Sequence, residues 1–121
     1  MKVESNEREV IEVDHIDNYN YKEYIGKTVK VTGDVDLSGL GLTKLPINFT
    51  EVGGDFYCSF NNLTSLKGAP KEVGGSFYCF KNKLTSLKGA PEEVGRDFFC
   101  WGNNLKSTKG KPEFIGGNFI S

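Results

Sequence analysis

Three cysteines, Cys58, Cys79 and Cys100, stand 21 residues apart, and the segments around them repeat at the same step. Phe56, Phe77 and Phe98 keep that interval. So do Asn61, Asn82 and Asn103, and then Leu63, Leu84 and Leu105. Pro70, Pro91 and Pro112 follow, then Val73, Val94 and Ile115, then Gly74, Gly95 and Gly116. The frame runs back to Val35, Leu37, Leu42 and Leu45, and forward to Phe119. A period in this range is the mark of a chain that stacks on itself turn by turn, because one unit alone cannot bury its apolar face.

The spacing predicts four full units, 34–54, 55–75, 76–96 and 97–117, with a further strand begun at 118–121. Together with Val31 and its neighbours they make an array over residues 31–121. Within a unit, Phe56-x-Cys58 alternates inward on a short strand. The Asn61 side chain then turns in to bond backbone groups that the bend leaves unpaired. Leu63 and Leu66 bury on the return side. The pattern apolar-x-apolar-x-x-Asn-x-apolar is that of a leucine-rich repeat. The expected fold is therefore mainly β, a leucine-rich-repeat solenoid with a parallel concave sheet. Twenty-one residues leave no room for a full convex helix, so extended or 3-10 segments are expected there. Residues 1–30 do not follow the period and read as an N-terminal cap of helix or short strands, with Val10, Ile11, Val13, Ile16 and Ile25 covering the first turn.

The segment Asn61–Val73 resembles the short leucine-rich repeats of bacterial secreted effectors. It is more similar still to small repeat proteins of bacteriophages and prophages, which carry units like Gly68-Ala69-Pro70-Lys71-Glu72-Val73-Gly74-Gly75 with Phe-x-Cys strands. This resemblance covers about residues 28–121 and implies a phage- or prophage-encoded protein that binds and inhibits a host complex in the bacterial cytosol. A defence nuclease, as in anti-CRISPR proteins, is the concrete version. The fold itself implies no function, since repeat scaffolds serve unrelated partners.

Alternation places Tyr57, Tyr78 and Phe99 on the outer face of the strands, with Phe80 and Trp101, and Ser38 and Ser59, two residues on. Phe60 and Lys81 come next, then Lys83. Aromatics where polar side chains would serve the fold read as a partner-binding surface made of Tyr57, Phe60, Tyr78, Phe80, Phe99 and Trp101 with Lys81 and Lys83. A cross-strand aromatic ladder is the purely structural alternative. Lys67, Lys88 and Lys109 form a second periodic column. The formal charge of −1 hides an acidic segment, net −4 over residues 1–36, and a basic array, net +3 over 37–121. The lysine column is thus a candidate edge for RNA or single-stranded nucleic acid, with aromatics accepting bases. A third reading is a structural phage protein assembling, or dimerising, through an open edge at Phe119.

Catalytic chemistry is not expected. The one histidine, His15, stands in the cap without a neighbouring nucleophile. The cysteines lie at the repeat period rather than at metal-ligand spacing, and their place beside inward phenylalanines reads as small apolar filling. No cofactor or metal is implied. The longest apolar run, Phe98–Trp101, is far too short to span a membrane, so no membrane partner is expected either.

Overall fold

Backbone hydrogen bonds between successive turns organise the chain. The computed structural model describes residues 9–121. It is mainly β, with a single 3-10 turn, Tyr21–Tyr24, as its only helical element among those residues. Two parallel sheets form a β-solenoid of about five turns.

One sheet contains β3 (Val35–Asp36), β5 (Phe56–Tyr57), β7 (Phe77–Tyr78), β9 (Phe98–Phe99) and β11 (Phe119–Ile120), stacked in that order. Its register pairs Val35 with Phe56, Phe56 with Phe77, Phe77 with Phe98, and Phe98 with Phe119. On the other side the extended segments go further than expected and pair into a second sheet. It holds β1 (Val10–Val13), β2 (Thr28–Val31), β4 (Asn48–Val52), β6 (Glu72–Val73), β8 (Glu93–Val94) and β10 (Phe114–Ile115). The solenoid therefore has a β-sheet on two sides, with an irregular third side between them over segments such as Asn62–Gly68. The reason is local. With no helix to close the turn, the arc after Pro70 stays extended, and its backbone groups find partners in the adjacent turns. Lys71 N–H donates to Thr50 O at 2.9 Å, and Gly74 N–H to Val52 O at 2.9 Å.

Residues before the array continue this second sheet. β1 pairs with β2 in parallel from Val10–Thr28 to Val13–Val31. Ile16 bridges to Val35 and is buried, covering the first sheet's open edge. Val13 packs on the core, but Val10 and Ile25 are exposed, so the cap uses fewer of its apolar residues than the sequence suggests. Its first eight residues lie outside the described part of the chain.

The core is a set of columns running along the axis. Phe56, Phe77 and Phe98 are fully buried and stack at 5.1 and 5.2 Å between ring centroids. Phe49 closes this pillar edge-on at one end, and Phe119 extends it at the other at 5.6 Å. Each buried ring contributes about 1.5–3 kcal/mol relative to exposure. Lys111 sits with its ammonium 4.2 Å over the Phe119 ring, where Ala69 and Ala90 stand in the preceding turns. Lys111 thus covers the last ring of the pillar with a cation–π contact.

Cys58, Cys79 and Cys100 form the adjoining buried column and are unpaired thiols. Burial pushes all three thiols up, Cys100 to about 11. The asparagine column secures the bend as expected. Asn61 Oδ1 accepts from Leu40 and Leu42 N–H, both at 2.9 Å. Its Nδ2 donates to Leu37 O and Cys58 O. Asn82 and Asn103 repeat the arrangement, accepting from Leu63 and Leu84 N–H.

Candidate aromatic face and lysine groove

Side chains on the outer face of the first sheet stand in two aromatic columns. In the first, Tyr57 and Tyr78 stack at 4.4 Å and 2° between ring planes, and Phe99 follows at 5.1 Å and 7°. In the second, Phe80 and Trp101 stack at 4.6 Å and 8°, while Phe60 meets Phe80 edge-on at 5.3 Å. Tyr78 and Phe80 join the columns at 6.4 Å. All six aromatic residues expected on this face are therefore brought together. The first column is half-buried, whereas Phe60 is 58% exposed and Trp101 38%.

The stacking has a chemical consequence. Ring faces of Tyr57, Tyr78 and Phe99, and of Phe80 with Trp101, are used on one another, so the stacked rings offer outside molecules mainly edges; Phe60, set edge-on, is the exception. Base stacking needs free ring faces. This geometry suits packing against apolar side chains better than threading of bases.

Backbone conformation singles out two positions at the rim. Phe60 and Lys81 hold φ of +56° and +57°. The corresponding positions one turn before and one turn after are Gly39 and Gly102, with φ of +67° and +72°. Glycine adopts this left-handed conformation without strain, while a residue with a Cβ pays roughly 1–2 kcal/mol. Lys81 Nζ reaches 5.6 Å from the Trp101 ring centroid. Lys83 is exposed nearby in sequence on the irregular side. The glycines at 39 and 102 were a legible signal for this turn, since they bracket Phe60 and Lys81 at the repeat step.

Two serines depart from the expected pattern. Ser59, placed outward by alternation, is 2% exposed, and its Oγ has no hydrogen-bond partner. It is next to Phe60 in the chain, and Phe80 holds the equivalent position one turn on. Ser76 is also buried. It belongs to an acceptor ladder at strand entry: Asp34 Oδ1 accepts from Asp55 N–H, Asp55 Oδ1 from Ser76 N–H, Ser76 Oγ from Asp97 N–H, and Asp97 Oδ1 from Asn118 N–H. Tyr57 Oη donates to Asp55 Oδ2 at 3.3 Å. Desolvation, with the Asp55 carboxylate beside it, pushes the Tyr57 phenol up to about 12.

Lys67 and Lys88 are placed elsewhere. They line an open groove of about 590 Å³ on the irregular side, with Thr64, Ser65, Gly68, Ser86 and Gly89. No aromatic lines it, so the lysine column and the aromatic face are separate surfaces. Lys109 and Ser107 occupy the equivalent positions in the next turn. Among the described residues, no group of three or more His, Cys, Asp or Glu side chains is placed to hold a metal ion. No helix of the described residues is long and apolar enough to cross a membrane.

Comparisons with protein-family models, with curated proteins and with solved structures returned no match.

Proposed function

We propose that this chain is a non-catalytic binding protein that docks a protein partner through the aromatic face, with Phe60, Phe80, Trp101 and Lys81 at the centre of the contact. The observation that carries this reading is the left-handed backbone at Phe60 and Lys81. Glycine makes the same turn one step before and one step after. Side chains kept there against strain, one of them a phenylalanine more than half exposed, are explained by what they touch outside the chain. The solenoid makes the same turn with no side chain at Gly39 and Gly102. The stacked rings hold the face rigid, which lowers the entropy lost on binding.

Within this reading, the repeat is of the leucine-rich type with 21-residue units. Its resemblance to phage and prophage repeat proteins makes the partner a bacterial host complex in the cytosol. Inhibition of a defence nuclease, in the manner of anti-CRISPR proteins, is the specific form of the proposal.

A pull-down from bacterial lysate, with and without nuclease treatment, tests it. Capture of a protein that survives nuclease and is lost with Phe60→Gly, and with Tyr78→Ala plus Trp101→Ala, is the expected result. Capture unaffected by these changes would remove the aromatic face as the site. Capture abolished by nuclease would make nucleic acid the ligand instead.

A further inference from the structure

We infer that the groove between Lys67 and Lys88 is a phosphate-binding site, independent of the aromatic face, that takes a small oligophosphate lying along the solenoid axis.

The argument rests on which groups the groove presents. Ser65 Oγ accepts the Lys67 backbone N–H at 3.0 Å, and Ser86 Oγ accepts the Lys88 N–H at 3.3 Å. With the oxygen so engaged, each hydroxyl keeps its hydrogen as a donor. The lining residues thus carry two ammonium groups and the hydroxyls of Thr64, Ser65 and Ser86, and none carries a carboxylate. A set of donors and positive charges with no competing carboxylate selects an anion, and phosphoryl oxygens meet such donors in strong charge-assisted bonds.

The groove's shape follows from the glycines. Gly68 and Gly89 hold φ of +98° and +92°. A Cβ at Gly68 would stand 3.1 Å from Ile47 O, and one at Gly89 3.1 Å from the Leu66 carbonyl carbon. The glycines let the chain bend sharply between lysine-bearing turns while adding no side chain to the groove.

Size and repetition choose the ligand class. The volume suits a small molecule rather than a folded domain. Lysine–hydroxyl units on adjacent turns are separated by the strand spacing, about 4.8 Å. One phosphate can bridge a single pair, but Lys109 stands one turn further on, and a column of three lysines about 10 Å long is spanned by linked phosphates and not by one isolated anion. The carboxylates of the second sheet, Glu51, Glu72 and Glu93, line a different depression and do not neutralise these lysines.

The test is a calorimetric titration of the full chain with tripolyphosphate and, separately, with inorganic phosphate. Saturable binding of tripolyphosphate at one site is expected. Lys67→Gln with Lys88→Gln should weaken it about tenfold or more, the loss of two charge-assisted contacts. Lys83→Gln with Lys106→Gln, outside the groove, should leave it within about twofold. Equal loss from both pairs would show binding by net charge alone and overturn the assignment, as would absence of saturation. A single-stranded oligonucleotide that binds at lower concentration than tripolyphosphate through the same two lysines would overturn the small-ligand assignment. Phe60→Gly, which tests the aromatic face, should leave this titration unchanged, so the two proposals fail separately.

Discussion

Asn82 shows how much one side chain carries. It accepts from Leu63 N–H at 2.9 Å and donates to Cys58 O and Cys79 O at 3.0 and 3.1 Å. Asn82→Leu keeps the number of side-chain heavy atoms and strands these buried backbone groups. An expected loss of about 3 kcal/mol or more follows, since each unsatisfied buried group costs roughly 1–3 kcal/mol. Urea denaturation measures it, and a loss below about 1 kcal/mol would refute the account. Lys81 behaves oppositely. Ordinary surface Lys→Gly substitutions destabilise, but Lys81→Gly releases left-handed strain and should hold or raise stability by up to about 1 kcal/mol. Lys83→Gly, at a position without positive φ, should lower it. If Lys81→Gly destabilises as much as Lys83→Gly, the strain is not there. The inward Phe, Cys and Asn columns were legible because an unbroken step and strict alternation fix both face and partner. Left-handed Phe60 and buried Ser59 were less so. Neither residue type announces its conformation, and strict alternation places Ser59 outward although it is buried.

Strand pairing adds a constraint that no single turn contains. A Cβ at Gly54, Gly75 or Gly117 would run into Oδ1 of Asp34, Asp55 or Asp97 on the adjacent turn. Arg96 occupies this glycine position in the one turn where the facing acceptor is Ser76. The shorter serine makes room for the arginine Cβ. Ser76→Asp alone should therefore cost about 1–3 kcal/mol by overpacking. Adding Arg96→Gly should recover most of that loss. A double-mutant cycle read by thermal or urea unfolding is expected to show coupling of at least about 1 kcal/mol, and additivity would sink the idea. Glycines one residue earlier are held by the backbone itself. A Cβ at Gly74 would collide with Gly53 O, so Gly74→Ala should destabilise by about 2 kcal/mol or more, unless the turns can part. A change below about 1 kcal/mol in urea unfolding would show that they can. The first sheet was readable from Phe-x-Cys alternation, but the second was not. Its later strands bury a single residue each, Val73 or Val94, so they show no inward alternation like that of Phe56 and Cys58.

At the scale of the whole molecule, the buried thiols link stability to pH above ~9. A thiol whose folded pKa lies above its unfolded value stabilises below the unfolded value, and that stability is lost as pH rises. The loss begins near the ordinary value of 9.0 and, for Cys100, ends near 11. Cys58 and Cys79 are held protonated still more strongly. Unfolding free energy should fall above pH ~9, with each thiol contributing about 1.4 kcal/mol per pH unit. Cys79→Ala should reduce that slope relative to the parent protein, and an unchanged slope would refute the assignment to thiols.

The acceptor ladder and the Phe pillar carry nearly the same residues from turn to turn, so a strand displaced by a whole turn would find almost the same neighbours. What gives each turn an address is the handful of exceptions. Ile16 and Phe49 mark one end, Lys111 marks the other, and the Ser76–Arg96 pair marks the middle. Restoring the uniform Asp–Gly pair there should leave the native state intact and raise the fraction of chains trapped one turn out of register during refolding.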